Sequence, residues 1–161
     1  MNWRNSSPEG TDRFFAALVY LFPIYYALDF GGDLLRQFPP LAQLISTLVL
    51  PLRIIYSVIP FGGFILFIIL FAAVVRNPRI SHFIRFNAMQ AILIDILLIL
   101  LGLVTGILLG GLGISLIAKT INNTIFLGSL AMCIFAMYRS VSGRYADIPM
   151  VSEAAYSQVP W

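Results

Sequence analysis

Long apolar runs constrain this chain more than any other feature. Four of them, residues 14–30, 57–75, 87–109 and 121–138, each reach the roughly 17–25 helical residues that cross a hydrocarbon core of about 30 Å. Lipid offers no partner to a bare amide, so a spanning segment must be a helix or part of a closed barrel. The runs lack the alternation of barrel strands. The expectation is an all-α integral membrane protein, a four-helix bundle. Composition agrees: 60% of the 161 residues are hydrophobic and 11% are charged, and the mean hydropathy is +0.92, outside the range of soluble domains. Charges concentrate in tails and turns, which leaves one transmembrane domain, 13–142, between an N-terminal tail, 1–12, and a C-terminal tail, 143–161.

Residues 41–56 do not fit a fifth span. They follow Pro39 and Pro40 and are interrupted by Pro51 and Arg53, and a crossing there would leave too little chain to turn before the next run. Gln43, Ser46 and Arg53 fall on one side at helical spacing, as in a helix lying in the interface or dipping in and returning. The reading is an additional interfacial helix between the first two spans. With four spans, Arg4, Arg13, Arg76, Arg79, Arg85, Arg139 and Arg144 share one side, against Arg36, Arg53 and Lys119 on the other. The positive-inside bias then puts both termini inside. The first run starts only after Glu9, Asp12 and Arg13, and no small-x-small pattern follows it. No removable signal or transit peptide is therefore expected.

Few residues offer chemistry. Cys133 is the single cysteine, so no internal disulfide and no cysteine metal site can form. His82 is the sole histidine and lacks further ligands at metal-binding spacing. No nucleophile set, zincin helix or phosphate-cradling loop is present, and neither an enzyme, a cofactor nor a nucleic-acid partner is expected. Asn77-Pro78 reads as a helix start, with Arg76, Arg79, His82 and Arg85 at the membrane surface, facing either anionic headgroups or an acidic partner segment.

Asp95 is the one carboxylate well inside an apolar run. Leaving it unpaired in lipid costs about 2.5–3.5 kcal/mol on insertion scales, so it should face protein or water. Asn87, Gly102, Thr105 and Gly106 share its side of a helix, with Gln90 at the edge. This small, polar stripe has two readings. It is a packing face, with Asp95 bonded to a neighbour or to Arg85, or it lines a hydrated pathway.

The run Asn77-Pro78-Arg79-Ile80-Ser81-His82-Phe83-Ile84-Arg85-Phe86-Asn87-Ala88-Met89-Gln90-Ala91, leading to Asp95, and the segment Tyr145-Ala146-Asp147-Ile148-Pro149-Met150-Val151-Ser152-Glu153-Ala154-Ala155 resemble the twenty-kilodalton Tic family, the chloroplast inner-envelope import component and its cyanobacterial and plastid-encoded relatives. The resemblance implies a four-helix protein with cytoplasmic or stromal termini, in a cyanobacterial plasma or thylakoid membrane or a plastid inner envelope. It implies a subunit of the protein-import translocon that contributes to a protein-conducting channel, with Arg85, Asn87, Gln90 and Asp95 as the motif positions on the third span. Expected partners are the bilayer, other membrane subunits or further copies of the chain, and translocating precursors. An assembly or scaffold factor is the alternative, with a small transporter behind it, since neither a second intramembrane charge nor a repeated half is evident.

Overall fold

The computed structural model describes residues 8–110 and 115–159; Arg4 of the N-terminal tail and Trp161 of the C-terminal tail lie outside them. Nine α-helices follow one another among the described residues: α1 Gly10–Leu18, α2 Leu21–Ala27, α3 Gly32–Gln37, α4 Pro39–Leu48, α5 Leu50–Val58, α6 Gly62–Ile69, α7 His82–Gly110, α8 Ser115–Val141 and α9 Val151–Gln158. The protein is an all-α membrane protein. Two helices, α7 and α8, are long and apolar enough to cross a bilayer, and both run past the limits of their apolar stretches.

Prolines explain where the other runs depart from straight spans. The first run, expected as one helix, is α1 and α2. Pro23 has no amide for the Val19 carbonyl and its ring pushes that carbonyl aside; Phe22 takes it instead at 3.2 Å, and Tyr20 bonds Ala17 at 3.2 Å, tightening the junction. The stretch expected as a single interfacial helix is α4 and α5, bent by 62°, because Pro51 cannot donate to Thr47. The second run starts later than expected, since Ser57 and Val58 belong to α5. Its helix, α6, widens into a π-helical end at Leu70–Val75. The stretch Gly62–Val75 is about 21 Å long, short of a 30 Å core by about a third.

The helix expected to start at Asn77-Pro78 starts instead at His82. Asn77 Oδ1 accepts the Arg79 amide at 3.0 Å, an Asx turn that diverts the chain. Ser81 caps α7: its carbonyl accepts the Arg85 amide at 3.1 Å and its Oγ the Ile84 amide at 3.4 Å.

The end of α8 is equally determined. Gly143, at φ +70°, ends α8 in a Schellman turn, with Arg144 bonding Arg139 at 2.9 Å and Gly143 bonding Ser140 at 2.9 Å. The segment beyond, which composition reads as a tail, returns along α7 as a loop and α9. Helix α7 is the axis of the molecule: α1, α2, α8, α9 and the π-helical segment all pack on it, and α8 also covers α1 and α2. Tyr20, Phe86, Ile92, Ile94 and Phe126 fill the core. Leu103 and Ile107 on α7 and Ile134 and Phe135 on α8 point outward, as lipid-facing surfaces require. The Arg13 guanidinium lies against Gly143 and His82 against Tyr145. The start of α1, the start of α7, the end of α8 and the C-terminal segment therefore meet at one end of the bundle.

Candidate functional site

The polar stripe of α7 divides into three parts with different surroundings. Nearest the helix start, Asn87 and Gln90 are fully buried, and each is bonded through both its oxygen and its nitrogen. Tyr20, at the α1–α2 junction, points its hydroxyl at Asn87 Oδ1 (2.8 Å) and Gln90 Oε1 (2.6 Å); its single proton can serve either. Ser140 of α8 donates to Asn87 Oδ1 at 2.9 Å or to the Ala136 carbonyl at 2.8 Å. Asn87 Nδ2 donates to the Phe83 carbonyl at 2.8 Å. Gln90 Nε2 donates to Ser152 Oγ (2.8 Å) and to the Ala146 carbonyl (3.1 Å). Ser152 Oγ in turn accepts the Ile148 amide at 2.7 Å and donates to Ala146 at 2.9 Å. Four parts of the chain are thus tied through two side chains.

Aromatic packing closes the same clamp. Tyr145 meets Phe83 and Phe86 edge-on with centroids 5.1 and 5.0 Å apart, and Phe86 lies 4.4 Å from Tyr156. Burial, with Tyr156 beside it, pushes the Tyr145 phenol up to about 12. Arg139 donates to the Tyr145 carbonyl through Nε and Nη2 at 3.1 and 3.0 Å.

Asp95 lies two turns further along α7. It is 8% exposed, and among the described residues its Oδ1 is buried without a hydrogen-bond partner. Neither a neighbouring side chain nor Arg85 is bonded to that oxygen. It lines a cavity of about 300 Å³ between α2, α5, α6 and α7, with Tyr26, Tyr56 and Gly63. Beyond it, Gly102, Thr105 and Gly106 line a larger cavity of about 590 Å³ between α2, α7 and α8, with Tyr26, Asp29 and Asn122. Thr105 Oγ1 turns to its own helix, donating to Leu101 at 2.8 Å or Gly102 at 3.2 Å. A Cβ at Gly106 would meet nothing within 4 Å. Among the described residues, Oδ1 of Asn122 and of Asn123 is buried and unbonded.

The basic cluster separates as well. Arg76 and Arg79 are exposed, Arg76 standing 5.9 Å over the Phe71 ring. His82 is half-buried, its Nδ1 3.0 Å from the Tyr145 hydroxyl. Arg85, expected at the headgroups, is buried: its Nε donates to the Val75 carbonyl at 2.9 Å, satisfying the last turn of the π-helical segment. Tyr20, Tyr26, Tyr56, Ser140 and Ser152 escape sequence reading, because a lone tyrosine or serine in an apolar stretch carries no periodic signal. The Asn122-Asn123 pair in an otherwise apolar helix is a signal that could have been followed.

The family described as "Chloroplast import apparatus Tic20-like" matches residues 3–155 of this chain. A "Tic20 family protein" of Synechocystis sp. is 54% identical over 156 residues, 96% of this chain and 97% of its own length. The Arabidopsis thaliana "Protein TIC 20-v, chloroplastic" is 34% identical over 157 residues, 96% of this chain and 74% of its own. The "Tic20 family protein Ycf60" of Gracilaria tenuistipitata var. liui is 33% identical over 153 residues, 92% of this chain and 75% of its own.

Proposed function

The chain belongs to the Tic20-like family of the chloroplast import apparatus, and on that premise we propose that it is a non-enzymatic, multi-pass subunit of a protein-translocating membrane machine whose open α7 face forms part of the polypeptide path. The observation that carries this reading is the cavity of about 590 Å³ lined by Asp29, Gly102, Thr105, Gly106 and Asn122. A polypeptide crossing lipid needs hydrogen-bonding groups along its way, and this cavity offers them within helices of membrane length. Asn87 and Gln90 belong to the clamp that holds the bundle end, not to the path. In this reading α1–α2, α6 with its π-helical end, α7 and α8 make four crossings, and the membrane is that of a cyanobacterium, plasma or thylakoid, or a plastid inner envelope. Both termini face the cytoplasm or stroma, a placement supported by the gathering of Arg13, Arg139 and the C-terminal segment at one end. One bundle has little room for a polypeptide-wide pore, so further copies or other membrane subunits complete the path.

Photocrosslinking in native membranes tests this, with a photoreactive residue at Gly106, where added atoms meet open space. Many different polypeptides, captured only while protein synthesis or import is active, are the expected result. One constant membrane protein, captured regardless of synthesis, would replace the path with a scaffold role. The uncovered small-residue face around Gly106 is the observation that favours that second reading.

A further inference from the structure

We propose that the cavity around Asp95 is a binding site for a primary alkylammonium cation, the chemistry carried at the tip of a lysine side chain. Asp95 brings a buried carboxylate oxygen with no hydrogen donor among the described residues. A bare carboxylate in such surroundings is neutralised by a proton or by a cation, and the aromatic walls suit an organic cation. Tyr26 and Tyr56 line the same space, and Tyr56 packs edge-on to Tyr25 at 4.6 Å and beside Tyr26 at 6.2 Å. Phe22, Phe64 and Phe67 complete an aromatic lining. Carboxylate plus aromatic faces is the recognition chemistry of an organic ammonium ion. A metal ion is poorly served, since Asp95 is the cavity's one carboxylate and hard cations take six or more oxygens.

The backbone around the cavity is arranged to keep it open. Phe61 holds a left-handed conformation, φ 57° and ψ 28°, unusual for an aromatic residue. It turns the chain so that α6 runs back past Tyr56. A Cβ built at Gly63 would fall 2.5 Å from the Tyr26 hydroxyl, so only glycine leaves that hydroxyl its place. Asp95 is about 20 Å along α7 from His82, far from the surface where His82 stands and within reach of a side chain from a segment inside the membrane. The site's chemistry does not depend on the translocation reading.

The test is calorimetric titration of the full chain in detergent with n-butylammonium, and with n-butanol as the neutral shape control. Expected is saturable binding of the amine, at least tenfold tighter than the alcohol. Asp95→Asn should weaken the amine tenfold or more and leave the alcohol unchanged, and Gly63→Ala, which keeps the carboxylate but displaces Tyr26, should weaken the amine severalfold. Far-UV circular dichroism of each variant checks that it is folded. No binding to the wild-type chain, equal binding of amine and alcohol, or a folded Asp95→Asn that still binds the amine would each overturn the site. A lysine peptide that competes with n-butylammonium, where its norleucine counterpart does not, would identify side chains as a source. Competition by neither would restrict the site to free amines, and equal competition by both would overturn recognition of the ammonium.

Discussion

Removing Gln90 should cost less than its burial suggests, and removing Gln90 with Asn87 should cost more than the two changes separately. In Gln90→Met the side chain keeps its length and loses its bonds to Tyr20, Ala146 and Ser152. Each group left behind has a second partner: Tyr20 retains Asn87, Ser152 retains Ile148 and Ala146, and Ala146 retains Ser152. Because the Tyr20 proton passes to Asn87, the loss is the net worth of the two bonds that Gln90 Nε2 donates, about 2 kcal/mol, without the further penalty of an orphaned group. Asn87→Leu is likewise buffered, because Tyr20 turns to Gln90 and Ser140 to Ala136; with the Nδ2 bond to the Phe83 carbonyl lost it should cost about 1 kcal/mol. In the double variant the Tyr20 hydroxyl, 0% exposed, has no acceptor left. Its desolvation adds about 1–3 kcal/mol beyond the sum. The assay is reversible unfolding in mixed micelles with a rising fraction of denaturing detergent, followed by far-UV circular dichroism for wild type, both singles and the double. An interaction energy below about 0.5 kcal/mol, the scatter expected of independent sites, would refute the shared-proton account of the clamp.

Three further outcomes follow. The Tyr145 phenol, ordinarily near 10.0 and pushed up to about 12 by burial and Tyr156, holds its proton longer in the folded chain. Its contribution to stability is thus complete below pH 10.0 and is lost as pH rises through about 12; phenolate absorbance compared between wild type and Tyr145→Phe reads the step, and titration at the ordinary value would refute the burial. Gly143→Ala puts a side chain at φ +70° with its Cβ 2.9 Å from Arg13 Nε, and should destabilise by about 1 kcal/mol or more, read as a lower Tm. With Cys133 replaced by Ser, Arg79→Cys should react with an impermeant thiol reagent from the inner side and Gln37→Cys from the outer; the reverse pattern would invert the proposed orientation.

The two long helices are legible because hydropathy alone defines them: α7 and α8 occupy the third and fourth apolar runs. Their ends are less so, since Ser81 and Gly143 act through backbone geometry that a hydropathy profile does not weigh. Pro23 and Pro51 are visible in the sequence, yet the response to a proline depends on what the freed carbonyl finds, and that is a tertiary matter. Asp95 stands out as the lone carboxylate in an apolar stretch. Its neighbours Tyr26 and Tyr56 do not, because they arrive from α2 and α5 across long separations in sequence. The stripe Asn87, Gln90, Asp95, Gly102, Thr105, Gly106 is one side of a helical wheel, and a wheel carries no information on what stands opposite each turn. The C-terminal segment covers the first part and leaves the last part open. Arg85 shows the same gap: an arginine flanking a span is ordinarily a surface residue, and the Val75 carbonyl that holds it inside is not visible in the sequence.

The clamp also orders events in time. Tyr20 and Asn87 emerge from the ribosome well before Ser152, so the acceptors and donors of Gln90 exist for a while without the segment that completes them. Insertion of the helices can proceed as each is made, but closure of the bundle end waits until Ala146 and Ser152 are available to Gln90. A nascent chain stalled short of Ser152 would hold its spans in lipid with that end still unsealed.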